Sequence, residues 1–286
     1  MKTRHILTLT VPDAPGIVHA VSCGLLDIGG NIVESAQFGD PCSRLFCLRT
    51  VVETECPASE EVAAAVAGKL AAAGHDQQLQ LKVRRADRRP RILIMVSRFD
   101  HCLVDLLYRW KNGLLPVEIP AIVSNHPDAE PIARRHGIPF HHLPITPATK
   151  PAQETRLLEI VKESRIDLVV LARYMQVLSN ELCQKLAGRA INIHHSFLPG
   201  FKGAKPYHQA AARGVKLIGA TAHFVTPDLD EGPIIEQDVA RVTHAHTVEQ
   251  IIALGQDTER LVLARGVRLW AEDRVLMICD RTVVFT

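Results

Sequence analysis

An asparagine, a histidine and an aspartate have the types and spacing of a polar reaction centre. Asn192 and His194 lie two residues apart in the apolar run INIHH. If this run is a β-strand, the two side chains point to the same side, because residues i and i+2 share a face. Asp230 follows in a turn just before Gly232-Pro233. An amide, an imidazole and a carboxylate around one pocket polarise a carbonyl group, stabilise an oxyanion and move a proton. The pattern predicts acyl-transfer chemistry without an obvious protein nucleophile.

Three neighbouring polar residues are weaker candidates for the same chemistry. His195 points to the side of the expected strand opposite to His194, so we interpret it as structural. His223 alternates with apolar neighbours, which is typical of a core or supporting position. Asp228 is a competing acid, and only the spacing to the following Gly-Pro pair favours Asp230.

The composition is that of an ordinary globular protein. The chain has 286 residues, which suggests about two domains, with 47% hydrophobic and 22% charged residues. A net charge of +2 gives no electrostatic argument for nucleic-acid binding. No run approaches the roughly 18 apolar residues of a membrane span. The seven cysteines are scattered without a C-x-x-C pair, which favours free thiols over disulfides or a zinc site. We therefore expect a cytoplasmic protein that needs no metal.

Residues 1–84 have the pattern of a βαββαβ domain. Strands are expected at residues 5–11, 31–38, 44–53 and 78–84, and helices at residues 17–29 and 59–74. This order predicts a ferredoxin-like sandwich. A basic run that contains proline, RRADRRPR, follows the last strand. We interpret residues 85–91 as a solvated linker.

Residues 92–286 alternate apolar strands with amphipathic helices, and we expect them to form one domain. Strands are expected at residues 91–97, 116–125, 140–145, 167–172, 190–195, 216–226 and 234–242. Helices are expected at residues 100–112, 128–137, 151–164, 179–187 and 247–272, before a final pair of short strands. The alternation predicts an α/β fold with a mostly parallel, doubly wound sheet covered on both faces. Ligands of such sheets bind beyond the carboxyl ends of the strands, where Asn192 and His194 fall.

Two separated motifs resemble the folate-dependent formyltransferase fold. They are Asn192-x-His194 with Ser196-x-Leu198-Pro199, and His223-Phe224-Val225-Thr226 with Asp230-x-Gly232-Pro233. The resemblance implies that Asn192, His194 and Asp230 act on the formyl group of 10-formyltetrahydrofolate. It also implies a folate-binding wall made of Leu171, Met175, Gln176, Val177, Leu178 and Val225.

The N-terminal domain resembles the ACT domain, a small regulatory module that often binds amino acids. The matching segments are Asp13-x-Pro15-Gly16-Ile17-Val18 and Gly30-Asn31-Ile32. The resemblance implies an amino-acid effector at Asp13, Gly16, Gly30 and Asn31, and assembly into a homodimer or homotetramer. The alternative interpretation is that Gly16 and Gly30 serve only tight turns.

The two halves together resemble the formyltetrahydrofolate deformylase family over essentially the whole chain. Residues 96–103 contain no glycine, whereas the phosphate-binding loop of ribonucleotide formyltransferases needs glycine for close approach. Residues 203–209 also fit the deformylase pattern. The resemblance implies a hydrolase that converts its folate substrate to tetrahydrofolate and formate for purine and one-carbon metabolism, without a further cofactor. Two alternatives stay open, a formyltransferase with an amine acceptor and a folate-binding amino-acid sensor.

Overall fold

A computed structural model describes residues 2–200 and 206–286 of the chain. Contacts between Cα atoms divide it into two compact units, residues 2–89 with Glu272–Thr286, and Pro90–Ala271. The boundary between Arg89 and Pro90 falls inside the basic run. Residues 203–205 of the segment that fits the deformylase pattern lie outside the described residues.

The first unit is built on a four-stranded antiparallel sheet. Its elements are β1 (Thr3–Pro12), α1 (Ile17–Asp27), β2 (Asn31–Asp40), β3 (Leu45–Thr54), α2 (Ser59–Ala72) and β4 (Gln80–Arg85). Leu7 and Leu9 of β1 share one face of the sheet, and they pack with Leu25 of α1 and Val66 of α2 in one buried core. The strand order β2-β3-β1-β4 confirms the predicted ferredoxin-like sandwich.

The second unit is built on a seven-stranded sheet. Its strands are β5 (Arg91–Val96), β6 (Glu118–Ser124), β7 (Phe140–His142), β8 (Leu168–Leu171), β9 (Ala190–His194), β10 (Leu217–Phe224) and β11 (Ile234–Arg241). Its helices are α3 (His101–Lys111), α4 (Glu130–Arg135), α5 (Lys150–Glu163), α6 (Asn180–Lys185), α7 (Pro206–Ala212) and α8 (Val248–Ala271). The order is β11-β10-β9-β8-β5-β6-β7, in which β5 to β9 run parallel and β10 pairs antiparallel with both β9 and β11. The predicted mostly parallel sheet is confirmed.

Both faces of this sheet are buried. Leu93 and Met95 of β5 belong to a core that includes Leu157 of α5. Ile92 and Ile94 alternate with them and are equally buried, so the opposite face is covered as well. Burial on both sides explains why the strands are continuous apolar runs in the sequence.

The sheet has a topological switch point next to β8. The chain proceeds from β5 outward to β6 and β7, and then returns to place β8 on the other side of β5. Loops leave the carboxyl ends of β5 and β8 in opposite directions at such a point, which opens a crevice for ligands. Among the described helices, none combines the length and the apolar character needed to cross a membrane.

The C-terminal hairpin, β12 (Val275–Ile278) with β13 (Arg281–Val284), belongs to the first unit. We predicted that residues 92–286 form one domain, and this prediction is wrong for Glu272–Thr286. Leu276, Ile278 and Phe285 bury their side chains against Cys47 of β3. The hairpin therefore completes the hydrophobic packing of the first unit.

Charged groups fix the start of the hairpin to the same sheet. The Nε of Arg49 donates to the carbonyl oxygen of Glu272 at 3.1 Å. Asp273 pairs with Lys82 at 2.8 Å and also with Arg84. The Arg84 and Asp273 side chains are only 10% exposed, so water screens this pair weakly.

Candidate active site

Strand β9 presents the first two predicted site residues near the carboxyl edge of the second sheet. Asn192 and His194 both line a cavity of about 300 Å³. His194 is 5% exposed, and its neighbours Ile191 and Ile193 are buried with it. The strand therefore brings the amide and the imidazole to one site, as the two-residue spacing predicts.

Strand β10 places His223 beside Asn192. The antiparallel register aligns these two residues, and the amide Nδ2 of Asn192 lies 3.3 Å from His223 Nε2. His223 Nδ1 lies 2.8 Å from the carbonyl oxygen of Phe224. Because a carbonyl oxygen only accepts, Nδ1 donates this hydrogen bond, and Nε2 is the nitrogen that contacts the Asn192 amide. His223 thus orients the amide, in keeping with a supporting position.

Asp230 faces both histidines from the turn after β10. Its Oδ2 lies 3.1 Å from His194 Nδ1, and its Oδ1 lies 3.6 Å from His223 Nε2. Burial opposes ionisation of Asp230, but the two histidines outweigh it, so the pKa of this carboxyl lies well below its ordinary value. Asp228 is exposed and contributes nothing to the described cavity lining. The geometry therefore favours Asp230 as the acid of the site.

A glycine fixes the turn that carries Asp230. At Gly232 a Cβ atom would lie 1.7 Å from the carbonyl oxygen of Phe224, so a larger residue does not fit. Asp230 itself has φ 58°, in the left-handed region that aspartate tolerates better than most residues. The Asp-x-Gly-Pro spacing thus has a steric cause, because close approach of the turn to β10 sets the position of the carboxylate.

The second ring nitrogen of His194 is unpaired within the described part of the chain. Nε2 is buried and makes no hydrogen bond, whereas Nδ1 faces Asp230. A buried polar atom without a partner costs about 1–3 kcal/mol. Since His194 lines the cavity, an oxygen atom of a bound substrate would satisfy this nitrogen.

The predicted folate wall lines the same cavity. Its six members all contribute to the lining: Leu171, Met175, Gln176, Val177, Leu178 and Val225. Met175 is 50% exposed and Val177 is 58% exposed. Exposed apolar side chains that line a concave site provide a surface for a flat apolar ligand.

The loop between β8 and α6 carries most of this wall and is held near both ends. Ser97, at the carboxyl end of β5, accepts the Met175 N–H at 3.0 Å through its Oγ. Glu154 of α5 accepts the Ser179 N–H at 2.8 Å and also the Ser179 hydroxyl. These bonds fix the wall relative to the sheet that carries His194.

Glu259 of α8 forms a buried polar cluster that our sequence analysis missed. Its carboxylate is fully buried and lies 2.9 Å from His101 Nε2 and 3.2 Å from Arg173 Nε, and it accepts the Tyr207 hydroxyl. Burial opposes ionisation, but these partners outweigh it and lower the pKa of Glu259. One signal was available, because Glu259 lies three residues before Val262 on the buried stripe of a long amphipathic helix.

Part of this cluster has the residue types of a metal site. One ligand atom from each of His101, Cys102 and Glu259 lies within 4.8 Å of the others. Burial raises the pKa of the Cys102 thiol well above its ordinary value, and a protonated thiol is a poor ligand. The Arg173 guanidinium also faces the same carboxylate. Both features disfavour a cation at this cluster.

His195 lines the cavity. We interpreted this residue from the sequence as structural and did not predict its place in the cavity. Its ring centroid lies 5.0 Å from that of His194 and 6.2 Å from that of Tyr207. Burial and the nearby charges of Arg173 and His194 lower the pKa of His195 to about 4. The imidazole is therefore uncharged at neutral pH.

The four predicted effector residues do not converge within one chain. Asp13 and Gly16 precede α1, whereas Gly30 and Asn31 follow it. The intervening helix has 11 residues and therefore spans about 16 Å. Gly16 has φ 96°, and a Cβ at Gly30 would lie 2.7 Å from the carbonyl oxygen of Leu25. The backbone conformation of one turn and the close packing of the other therefore explain why glycine occupies these two positions.

Comparison with known proteins relates the second unit to formyl-handling enzymes. The family model described as formyl transferase matches residues 90–267. A curated formyltetrahydrofolate deformylase from Corynebacterium sp. is 45% identical over 99% of this chain and 98% of its own length. Another from Synechocystis sp. is 47% identical over 98% of this chain and 97% of its own length. The similarity therefore extends over both units.

A solved structure shows the same similarity in three dimensions. The crystal structure of a formyltetrahydrofolate deformylase from Burkholderia mallei superposes with a TM-score of 0.93 at 51% identity. The match covers 99% of this chain and 100% of that chain.

Proposed function

Because the chain belongs to the formyltetrahydrofolate deformylase family, we propose that it hydrolyses 10-formyltetrahydrofolate to tetrahydrofolate and formate. One observation carries the proposal: Asn192, His194 and Asp230 meet in one cavity beside an apolar wall. The described lining also offers no activated protein nucleophile. Its one thiol, Cys183, stays protonated because burial raises its pKa. Water is therefore the nucleophile that fits the site, and the formate produced enters purine and one-carbon metabolism.

The residues of the site divide the reaction between oxyanion stabilisation and proton transfer. Water attacks the formyl carbon, and the electron pair of the carbonyl π bond moves onto its oxygen. The Asn192 amide and an N–H at His194 Nε2 donate to this oxyanion. A preorganised donor of this kind contributes about 10²–10³-fold in rate. His223 supports the step indirectly, since it holds the Asn192 amide in place.

Asp230 moves the proton that the attacking water loses. Its carboxylate accepts this proton and passes it to N10 as the bond between carbon and N10 breaks. The low pKa of Asp230 means that the proton does not stay on the carboxylate. Asp230 also accepts a hydrogen bond from His194 Nδ1, which orients the imidazole ring toward the oxyanion. Formic acid then loses its own proton and leaves as formate.

The test is an assay of the purified full-length protein without any amine acceptor. We expect formate and tetrahydrofolate in equal amounts. An amine formyltransferase would instead need an acceptor and yield a formylated amine. A folate-binding sensor would bind the substrate and release nothing.

The first unit supports a proposal for regulation. Asp13, Gly16, Gly30 and Asn31 flank α1, and an amino acid linked to one-carbon metabolism, such as glycine or methionine, is a reasonable effector. A deformylase depletes formyl-folate, so control by such an amino acid protects the one-carbon pool. Measuring activity against amino-acid concentration tests this proposal, and a flat response contradicts it.

We also propose that the protein is a homodimer or homotetramer in the cytoplasm. β2 is an edge strand of the first sheet and exposes Ile32, Val33 and Phe38. A long apolar edge is a template for pairing with a second copy. The cysteines in the described residues are all free thiols, which is typical of a reducing compartment.

A further inference from the structure

Arg173 lines the catalytic cavity and is unused by the mechanism above. It follows the carboxyl end of β8 and lines the cavity together with His194 and His195. It is the only arginine or lysine in the described lining, and it is only 9% exposed. A cation buried to this degree is costly unless it serves the fold or a ligand.

The guanidinium group is held in place from several sides. Its Nε lies 3.2 Å from the buried carboxylate of Glu259, and its Cζ lies 5.5 Å from the centre of the Phe99 ring. The Arg173 backbone has φ 63°, a left-handed conformation that is unfavourable for a residue with a Cβ atom. Glu259 is itself fixed by His101 and Tyr207. The surroundings therefore preset the position of the guanidinium before any ligand binds.

The hydrogen-bond donors of this guanidinium are largely unused. The Nε atom is buried and lacks a hydrogen bond of proper geometry despite its short distance to Glu259. Within the described residues, neither terminal nitrogen of Arg173 donates to a protein acceptor. An arginine presents five donors in a planar fork, which matches the two oxygens of a carboxylate. Beside the Glu259 carboxylate at Nε, the terminal nitrogens thus have the chemistry of a second carboxylate site, which no described side chain fills.

The neighbours of Arg173 connect this fork to the reacting residues. His195 and Arg173 line the same cavity, and the ring centroid of His195 is 5.0 Å from that of His194. The carboxylates of the folate substrate are separated from N10 by a rigid benzoyl ring and an amide. With the formyl group at His194, these carboxylates point away from the reacting carbon. Hydrolysis creates a new carboxylate inside the cavity that Arg173 lines.

We propose that Arg173 binds the formate ion released by hydrolysis, through the terminal nitrogens of its guanidinium group. This inference rests on the proposed hydrolysis, because that reaction supplies the anion. Formate leaves the tetrahedral site as a small carboxylate and pairs with the guanidinium beside His195. The Glu259 cluster acts by positioning Arg173 and does not touch the anion.

The test measures formate binding directly on the substrate-free, full-length protein. Carbon-13 formate is titrated, and the broadening of its NMR signal reports binding. We expect saturable binding that Arg173→Gln weakens about tenfold or more, because the bidentate pair is lost. Arg173→Lys keeps the charge without the fork and should bind with intermediate affinity. Arg98→Gln removes an exposed arginine nearby and is the matched control, for which we expect wild-type binding.

Several outcomes would overturn the inference. Equal formate binding by wild type and Arg173→Gln, with both shown to be folded by thermal unfolding, removes Arg173 from the site. If Arg98→Gln weakens formate binding as much as Arg173→Gln does, the binding is due to general charge attraction and not to a site at Arg173. Displacement of formate from Arg173 by p-aminobenzoylglutamate would assign the fork to the folate tail. A protein that hydrolyses the substrate but binds no formate disproves this inference and leaves the proposed function intact. Binding of formate at Arg173 without hydrolysis would contradict the proposed function instead.

Discussion

Asp230 is the residue on which most of the proposed chemistry depends, because its carboxylate faces both His194 and His223. Asp230→Asn should lower kcat about 10²–10³-fold, since it removes the proton acceptor and the charge beside the imidazole. The dissociation constant of the folate should change little, because the apolar wall is untouched. Steady-state kinetics and equilibrium binding separate the two effects. Asp228→Asn is the matched control, and our choice of acid is wrong if that variant is the inactive one.

The pKa of Asp230 also predicts how stability depends on pH. Its folded pKa lies below the ordinary value of 3.8, so the ionised group stabilises the fold above about pH 4. This contribution is lost as the pH falls through the folded pKa. The free energy of unfolding should therefore fall more steeply between about pH 5 and pH 3 for wild type than for Asp230→Asn. Urea unfolding at several pH values measures both slopes, and parallel slopes would contradict the assigned interaction.

At the residue scale, the sequence predicts the parts of the site that depend on local rules. Strand alternation brings Asn192 and His194 to one cavity, and the Gly-Pro turn brings Asp230 to them. The contact between Glu259 and His101 joins positions 158 residues apart in the chain. No local pattern predicts such a pair, because it depends on how α8 packs against α3. Arg173 was missed for the same reason.

At the scale of elements, the turn after β10 decides whether the carboxylate reaches the histidines. Gly232→Ala should lower the melting temperature and cut kcat by about 10²-fold, because a Cβ displaces the turn from Phe224. Gly68→Ala is the matched control in the exposed surface of α2, where a Cβ meets nothing within 4 Å. That control should stabilise the first unit by about 0.5–1 kcal/mol. Full activity in Gly232→Ala would remove the steric argument for the Asp-x-Gly-Pro spacing.

The elements themselves are largely predictable, because periodicity is strong in buried strands and amphipathic helices. β8 and all but the first residue of β5 are continuous apolar runs, and both faces of these strands are covered. The place of the final hairpin was not predictable in this way. Its strands are short, so the sequence does not show which unit the hairpin joins. The packing of Leu276 with Cys47 and the ion pair between Asp273 and Arg84 assign it to the first unit.

At the scale of the whole molecule, the proposed assembly depends on the exposed edge of β2. Phe38→Lys should lower the mass of the particle in solution, because it places a charge on an apolar edge. Val239→Lys on β11, the edge strand of the other sheet, is the matched control and should leave the mass unchanged. Light scattering coupled to size-exclusion chromatography measures both variants. A monomeric wild type would contradict the proposal, and dissociation by Val239→Lys alone would move the interface to the second unit.

The central claim is that water, and not an amine, takes the formyl group in the cavity of Asn192, His194 and Asp230. The most direct test follows 10-formyltetrahydrofolate with the purified full-length protein in isotopically labelled water and without any acceptor. We predict one formate per tetrahydrofolate, with one labelled oxygen in the formate and no change in rate when glycinamide ribonucleotide is added. Turnover that begins only with an amine, accompanied by a formylated amine in equal amount, would contradict the account.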